Sequence, residues 1–254
     1  MPTNQNFMKK IVFVVISSLF FSLAFSQENP SATVTTPGTT SIKLKNRPAD
    51  HFMLQLSSDH WAGMPDSIGN HQQGFSRGFN AYFMFDKPFR NSPKYSIGIG
   101  LGISTSNIFF EKMNVELKSP NNFLPFTPLD SLNHFKKYKL ATSYLEVPLE
   151  FRFTAKPANV NKSFKGALGV KVGTLVNAHT KGKGLQDKNN NLINSYTQKE
   201  NSKHFINGTR FMATARIGYG IFSVFGSYQL NNILKDGVGP DMKLFQVGLT
   251  LSGL

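Results

Sequence analysis

Glu146 and Glu150 stand four residues apart in an alternating segment, and paired carboxylates can divide acid and base work between them. Four residues along a strand separate them by about 13 Å, wider than the spacing at which two carboxylates cooperate on a glycosidic bond. Neighbouring segments offer them a different role. Arg152, Lys171, Arg210 and Arg216 fall on the same side of the alternation as the two glutamates. Both signs in one narrow interior point to an ion-paired, hydrogen-bonded structural plug, with a proton or ion path as the competing reading. Hairpin register puts Glu146 near Lys171, Arg210 one strand further on, and Arg216 at the level of Glu150.

Other reactive residue types form no convincing centre. Ser57-Ser58-Asp59-His60 supplies a hydroxyl, an acid and an imidazole at a strand end, where small lipid-modifying barrels keep such groups. A triad, however, is assembled from separate segments, and four consecutive residues rarely converge. Histidines 51, 60, 71, 134, 179 and 204 are scattered without ligand spacing, so no metal or other cofactor is expected. The chain has no cysteine, which excludes disulfides and a lipid-anchored N-terminal cysteine.

Basic residues dominate the rest, with 28 Lys and Arg against 14 Asp and Glu, a formal charge of +14. Lys181, Lys183, Lys188, Lys199 and Lys203 crowd one long connection, a candidate anion-binding loop facing lipopolysaccharide phosphates. Lys136, Lys137 and Lys139 close another. A basic chain can signal nucleic acid, but no basic helix or RNA-binding motif is present, and an anionic membrane surface is the better counterpart. Phe123, Leu124, Pro125 and Phe126 form an apolar patch that would dock a partner or fold over the mouth of the structure. Trp61, the only tryptophan, is expected as an interface anchor.

The elements that position these residues begin with an export signal. Lys9 and Lys10 precede an apolar run over residues 11–25, and Ala24-Phe25-Ser26 places small residues before Gln27, the layout of a cleaved secretory signal over residues 1–26. The run has 15 residues, where a membrane-spanning helix needs about 20. Residues 27–49, rich in Thr, Ser and Pro, read as a flexible periplasmic linker. From residue 50 to 254, period-two alternation recurs in eight segments. The third sets Ile97, Ile99, Leu101 and Ile103 against Gly98, Gly100 and Gly102; the fourth sets Leu145, Val147, Leu149, Phe151 and Phe153 against Tyr144, Glu146, Glu150 and Arg152. No second apolar run could span as a helix, and the only other fold that satisfies every backbone group in lipid is a closed barrel. Links after the second, fourth and sixth segments are short, near residues 86–94, 155–163 and 218–220. Those after the first, third and fifth are long, near residues 57–75, 111–138 and 178–206. The pattern predicts an all-β, eight-stranded antiparallel up-and-down transmembrane β-barrel, with short periplasmic turns, long extracellular loops and both termini in the periplasm.

The segment Tyr144-Leu145-Glu146-Val147-Pro148-Leu149-Glu150-Phe151 resembles the most recognisable strand of the PorT-like outer-membrane β-barrel family of Bacteroidetes. The endings Arg216-Ile217-Gly218-Tyr219-Gly220, Gly226-Ser227-Tyr228 and Val247-Gly248-Leu249-Thr250-Leu251 are similar too. Glu150 departs from the family's pattern, which favours an apolar or small residue there, and Leu254 closes the chain where many such barrels end on an aromatic. The resemblance implies an eight-stranded barrel in the outer membrane of a Gram-negative bacterium. It assigns no activity, although the name-giving member takes part in protein secretion. The sequence therefore predicts a non-enzymatic outer-membrane barrel with a filled lumen and a structural or interaction role at the cell envelope. Its expected partners are outer-membrane lipids and lipopolysaccharide, and other envelope proteins. An accessory part of a secretion apparatus, a lipid-A-modifying enzyme and a narrow pore are the alternatives.

Overall fold

A computed structural model of the chain describes residues 50–252, residue 74 excepted; the expected signal and linker lie outside these residues. Eleven strands form in chain order: β1 (Asp50–Ala62), β2 (Ser76–Phe89), β3 (Ser92–Phe110), β4 (Met113–Val115), β5 (Phe126–Pro128), β6 (His134–Thr154), β7 (Phe164–Gln186), β8 (Leu192–Asn201), β9 (Thr209–Tyr219), β10 (Phe222–Gln229) and β11 (Lys243–Ser252). Eight of them close on themselves, every pair antiparallel: β1 beside β2, then β3, β6, β7, β9, β10 and β11, which returns to β1. The eight alternating segments of the sequence are these eight strands, and the fold class is as predicted. Among the described residues no helix is long and apolar enough to cross a membrane.

Alternation decides which side chain faces which solvent. On β6, Leu145, Val147, Leu149 and Phe151 are 40–49% exposed, while Tyr144, Glu146 and Glu150 are almost wholly buried. Outward apolar rows continue through Ile97–Ile103 on β3, Val170 and Val172 on β7, and Val247 and Leu249 on β11. Such a continuous band would be intolerable in water and is what hydrocarbon requires. At the short-turn end, Tyr95 stacks with Phe151 (ring centroids 5.7 Å apart) and Phe164 meets Tyr219 edge-on (5.2 Å), forming an aromatic girdle.

The turns after β2, β6 and β9 are short, the middle one carrying a 3-10 turn (Pro157–Lys162), whereas the connections at the other end are long. Both described ends of the chain lie at the short-turn end, since Met53 pairs with Ser252. The sequence reading needs correcting at the long-loop end. Residues 178–201 are mostly not loop, because β7 runs on to Gln186 and turns into β8, which pairs with its upper half. The apolar row stops where the strand leaves the hydrocarbon, but the hydrogen-bond ladder does not, so alternation underestimated the length. The lower half of β7 pairs with β9 and its upper half with β8.

Above the band the interior is apolar. Trp61, Ile108, Phe110, Leu140, Ile233 and Leu244 are buried together, covered by loop residues that include Leu117, Leu124, Phe205 and Ile206. The patch at residues 123–126 thus folds over the mouth: Leu124 is buried, its N–H donating to the carbonyl of Val238 at 2.7 Å, while Phe123 stays exposed.

Candidate functional site

The membrane-level interior is polar and charged. Reading across the sheet at one height, Tyr82 lies opposite Gly102, Gly102 opposite Glu146, Glu146 opposite Gly173, and Gly173 opposite Arg210. Large polar residues alternate with glycines, and the glycines let the large groups meet across an intervening strand. A Cβ on Gly173 would come within 2.8 Å of the Glu146 Cγ. Arg210 Nε donates to Glu146 Oε1 at 2.9 Å, and Tyr82 Oη donates to Glu146 Oε2 at 2.5 Å. The Arg210 guanidinium also lies 4.0 Å from the centre of the Tyr144 ring.

From this core a chain of hydrogen bonds runs around the wall. Arg210 Nη2 donates to Ser104 Oγ (2.6 Å), Ser104 to Asn80 Oδ1 (2.7 Å), Asn80 Nδ2 to Gln55 Oε1 (3.2 Å), and Gln55 Nε2 to Thr250 Oγ1 (3.0 Å). Lys171 Nζ donates to Gln55 Oε1 (3.1 Å) and Tyr82 Oη (3.3 Å), and lies over the Phe225 ring. Glu146 takes Arg210 as its ion partner, because Lys171 stands opposite Pro148 and its hydrogen bonds go across the lumen to β1 and β2.

A second cluster lies nearer the short-turn end. Glu150 Oε2 accepts from Arg152 Nε and from Arg216 Nη2, each at 2.8 Å. Arg152 Nη1 is 3.6 Å from Asp86 and within hydrogen-bond distance of His51. Arg216 Nη1 reaches Ser252 Oγ at 3.2 Å. All six predicted interior residues, Glu146, Glu150, Arg152, Lys171, Arg210 and Arg216, thus face the lumen in two groups. Sequence reasoning did not single out Gln55, Asn80, Ser104 and Asp86. They sit on the inward parity of β1, β2 and β3; Gln55, Asn80 and Ser104 are neutral and carry no charge pattern to mark them, and Asp86 lies next to the short turn after β2.

Strand parity also dismantles the rim tetrad. Ser57 and Asp59 point inward, where Ser57 Oγ donates to Asp59 at 2.5 Å and Gln246 Nε2 donates to the same carboxylate at 3.0 Å. Ser58 and His60 point outward and bond each other at 3.0 Å. Hydroxyl–imidazole pair and acid therefore lie on opposite faces of one strand. The same parity corrects Trp61: it is buried against Phe110 (5.7 Å) and anchors the inner cap, not the lipid interface. Of the candidate anion-binding lysines, Lys181 and Lys183 stand on β7 and Lys199 on β8, all exposed. Lys188 lies at the hairpin tip, and Lys203 Nζ is directed to the carbonyl of Leu175 at 3.4 Å. Among the described residues no three His, Asp or Glu stand together as a metal group.

The family model for the outer membrane protein beta-barrel domain matches residues 25–235. No curated protein matches the chain. Among solved structures, one similar chain is Ail, the attachment invasion locus protein of Yersinia pestis, at 14% identity over 80% of this chain and 97% of that one, with a TM-score of 0.34. Another is the same protein in complex with the heparin analogue sucrose octasulfate, at the same identity and coverage, with a TM-score of 0.31.

Proposed function

Because the chain belongs to the outer membrane protein beta-barrel domain family, we propose that it is a non-conducting, non-enzymatic barrel with a structural or interaction role at the cell envelope. Export would be directed by residues 1–26, with residues 27–49 as a periplasmic linker and outer-membrane lipids, lipopolysaccharide included, as surroundings. The observation that carries this reading is the packing of the lumen. Glu146, held by Arg210 across Gly173 and by Tyr82 across Gly102, closes the cross-section, and each of these three side chains is no more than 1% exposed. Eight strands leave an interior that side chains can fill. The void above Arg210, lined also by Trp61, Ser106 and Gln229, is about 10 Å³, room for about one water.

The segment that carries the PorT-like resemblance is accounted for by architecture. Leu145, Val147, Leu149 and Phe151 supply wall, while Tyr144, Glu146 and Glu150 supply lumen. Planar-bilayer recording of the purified protein provides the test: the barrel inserts without unitary currents. Stable current steps from the wild type would overturn the plug and favour a narrow pore.

A further inference from the structure

The outward face of the sheet above the apolar band carries cations in register. Lys139 on β6 lies directly opposite Lys181 on β7, and Lys181 directly opposite Lys199 on β8. One row further out, Lys137 lies opposite Lys183. One row further in, Arg77 on β2 is opposite Asn107, Asn107 opposite Ala141, and Ala141 opposite His179. Aromatic and amide groups knit the rows together: Lys139 Nζ donates to Asn107 Oδ1 at 2.6 Å, and both Lys139 and Arg77 lie over the Phe109 ring, at 5.8 and 5.9 Å.

Like charges placed directly across a sheet destabilise it, and here two such pairs share one row. None of the ion pairs among the described residues includes Arg77, Lys137, Lys139, Lys181, Lys183 or Lys199. Burial, then Lys181 and Lys199, hold the Lys139 ammonium below the usual lysine range. Burial, then Lys199, Lys139 and Lys181, do the same to His179. Among the described residues the face opposes its own charge, and an anion bound there would relieve it.

Its height says which negative charge. A tilted strand crosses the hydrocarbon in about 9–11 residues, and on β6 the apolar row from Phe153 to Leu145 uses that length up by Ser143. Lys139 is four residues further, roughly 9 Å above the boundary at 3.3 Å per residue and a 45° tilt. That is the depth of headgroup phosphates. The same outward face continues from Val147 and Val172, past one register shift between Tyr144 and Ser143, to the lysines, so a lipid whose chains lie on the lower part brings its phosphates to the upper part.

We propose that the Lys139–Lys181–Lys199 row, flanked by Arg77, Lys137 and Lys183, is a binding site for the phosphate groups of lipids in the surrounding outer leaflet. The proposal rests on the outer-membrane reading above and deepens it. The test uses the full chain in zwitterionic detergent with divalent cations chelated, wild type beside the variant Lys139→Gln/Lys181→Gln/Lys199→Gln. An equal-charge control, Lys94→Gln/Lys118→Gln/Lys162→Gln, removes exposed lysines outside the row. Without lipid, the row variant unfolds at a higher temperature than wild type, because repulsion is relieved. Adding diphosphorylated lipid A reverses that order, and native mass spectrometry finds retention by the row variant reduced at least about tenfold while the control binds as wild type. Dephosphorylated lipid A has no such effect. Three outcomes would overturn the proposal: equal retention by wild type and row variant, equal loss in the control, or wild type taking up a soluble sulfated polysaccharide through the row while ignoring lipid A. Wild type that refolds yet never inserts into vesicles would sink the outer-membrane reading itself, a result separable from failure of the row alone.

Discussion

Gly173 is the residue on which the central ion pair depends, since its missing side chain is the space through which Arg210 meets Glu146. Gly173→Val should push the two apart and lower stability as much as removing one charge does. Taking one partner from a fully dry pair leaves the other buried and unpaired, at about 3–5 kcal/mol. Glu146→Gln should therefore lower the temperature at which the barrel loses its heat-modified gel mobility. The double change Glu146→Gln/Arg210→Met should recover part of the loss, and a single variant melting with the wild type would contradict the pair's importance. His179, outside the membrane-spanning part of β7, makes a prediction about pH. Burial, then Lys199, Lys139 and Lys181, depress it below the ordinary 6.5, so the unfolded chain binds its proton first as pH falls. The contribution to stability is thus complete above pH 6.5 and is lost as pH drops through the lowered folded value. Amide protection factors in β7 and β8, which are corrected for the intrinsic pH dependence of exchange, should fall below pH 6.5, and His179→Gln should flatten that dependence. Identical pH profiles for the two proteins would show that His179 does not carry it.

At the scale of the element, a strand in lipid has two faces whose rules differ by one residue of register. Val147 lies in the exposed apolar row of β6, and arginine there should cost about 2–4 kcal/mol near mid-membrane. Ser143→Arg, at the outer edge of the same face, should be tolerated. Comparing the two in assembly assays checks the assignment, and equal behaviour would reject it. That parity is why so much was legible beforehand: Ile97–Ile103 facing out, Glu146 and Arg210 facing in, and the short turns all follow from period two. What was not legible has a common cause. Trp61 and Asp59 share the inward parity of β1, yet both were read as rim residues because the strand's outer limit is invisible once lipid no longer demands apolar side chains. β8 was hidden for the same reason, being exposed over most of its length with no alternation of apolar and polar residues. Gln55 and Lys171 lie 116 residues apart and meet only because the sheet closes, which no local pattern encodes.

For the whole molecule, two cores are stacked in series. The charged part of the interior holds Asp59, Asp86, Glu146 and Glu150 against Arg152, Lys171, Arg210 and Arg216 and is formally neutral, so the excess of +14 lies outside it. Above it sits the apolar cap around Trp61, Phe110 and Leu124, closed by loop backbone such as the bond from Leu124 to Val238. Each is sealed by its own physics: the lower by charge pairing in a narrow barrel, the upper by burial of apolar surface. Removing one should therefore leave the other closed. Replacing residues 116–125 with a short Gly/Ser linker takes Leu117 and Leu124 out of the cap and should expose the cap interior to soluble quenchers of Trp61 fluorescence without any ionic current. The triple change Glu146→Ala/Lys171→Ala/Arg210→Ala removes the lower seal while leaving none of these three charges behind unpaired, and it too should be silent while the cap is intact. Combined in one chain, the two changes should give stable current steps in planar bilayers, with retained heat-modified mobility showing that the barrel is still folded. Steady current from the cap replacement alone would mean that the ionic layer, however well paired, does not close the lumen.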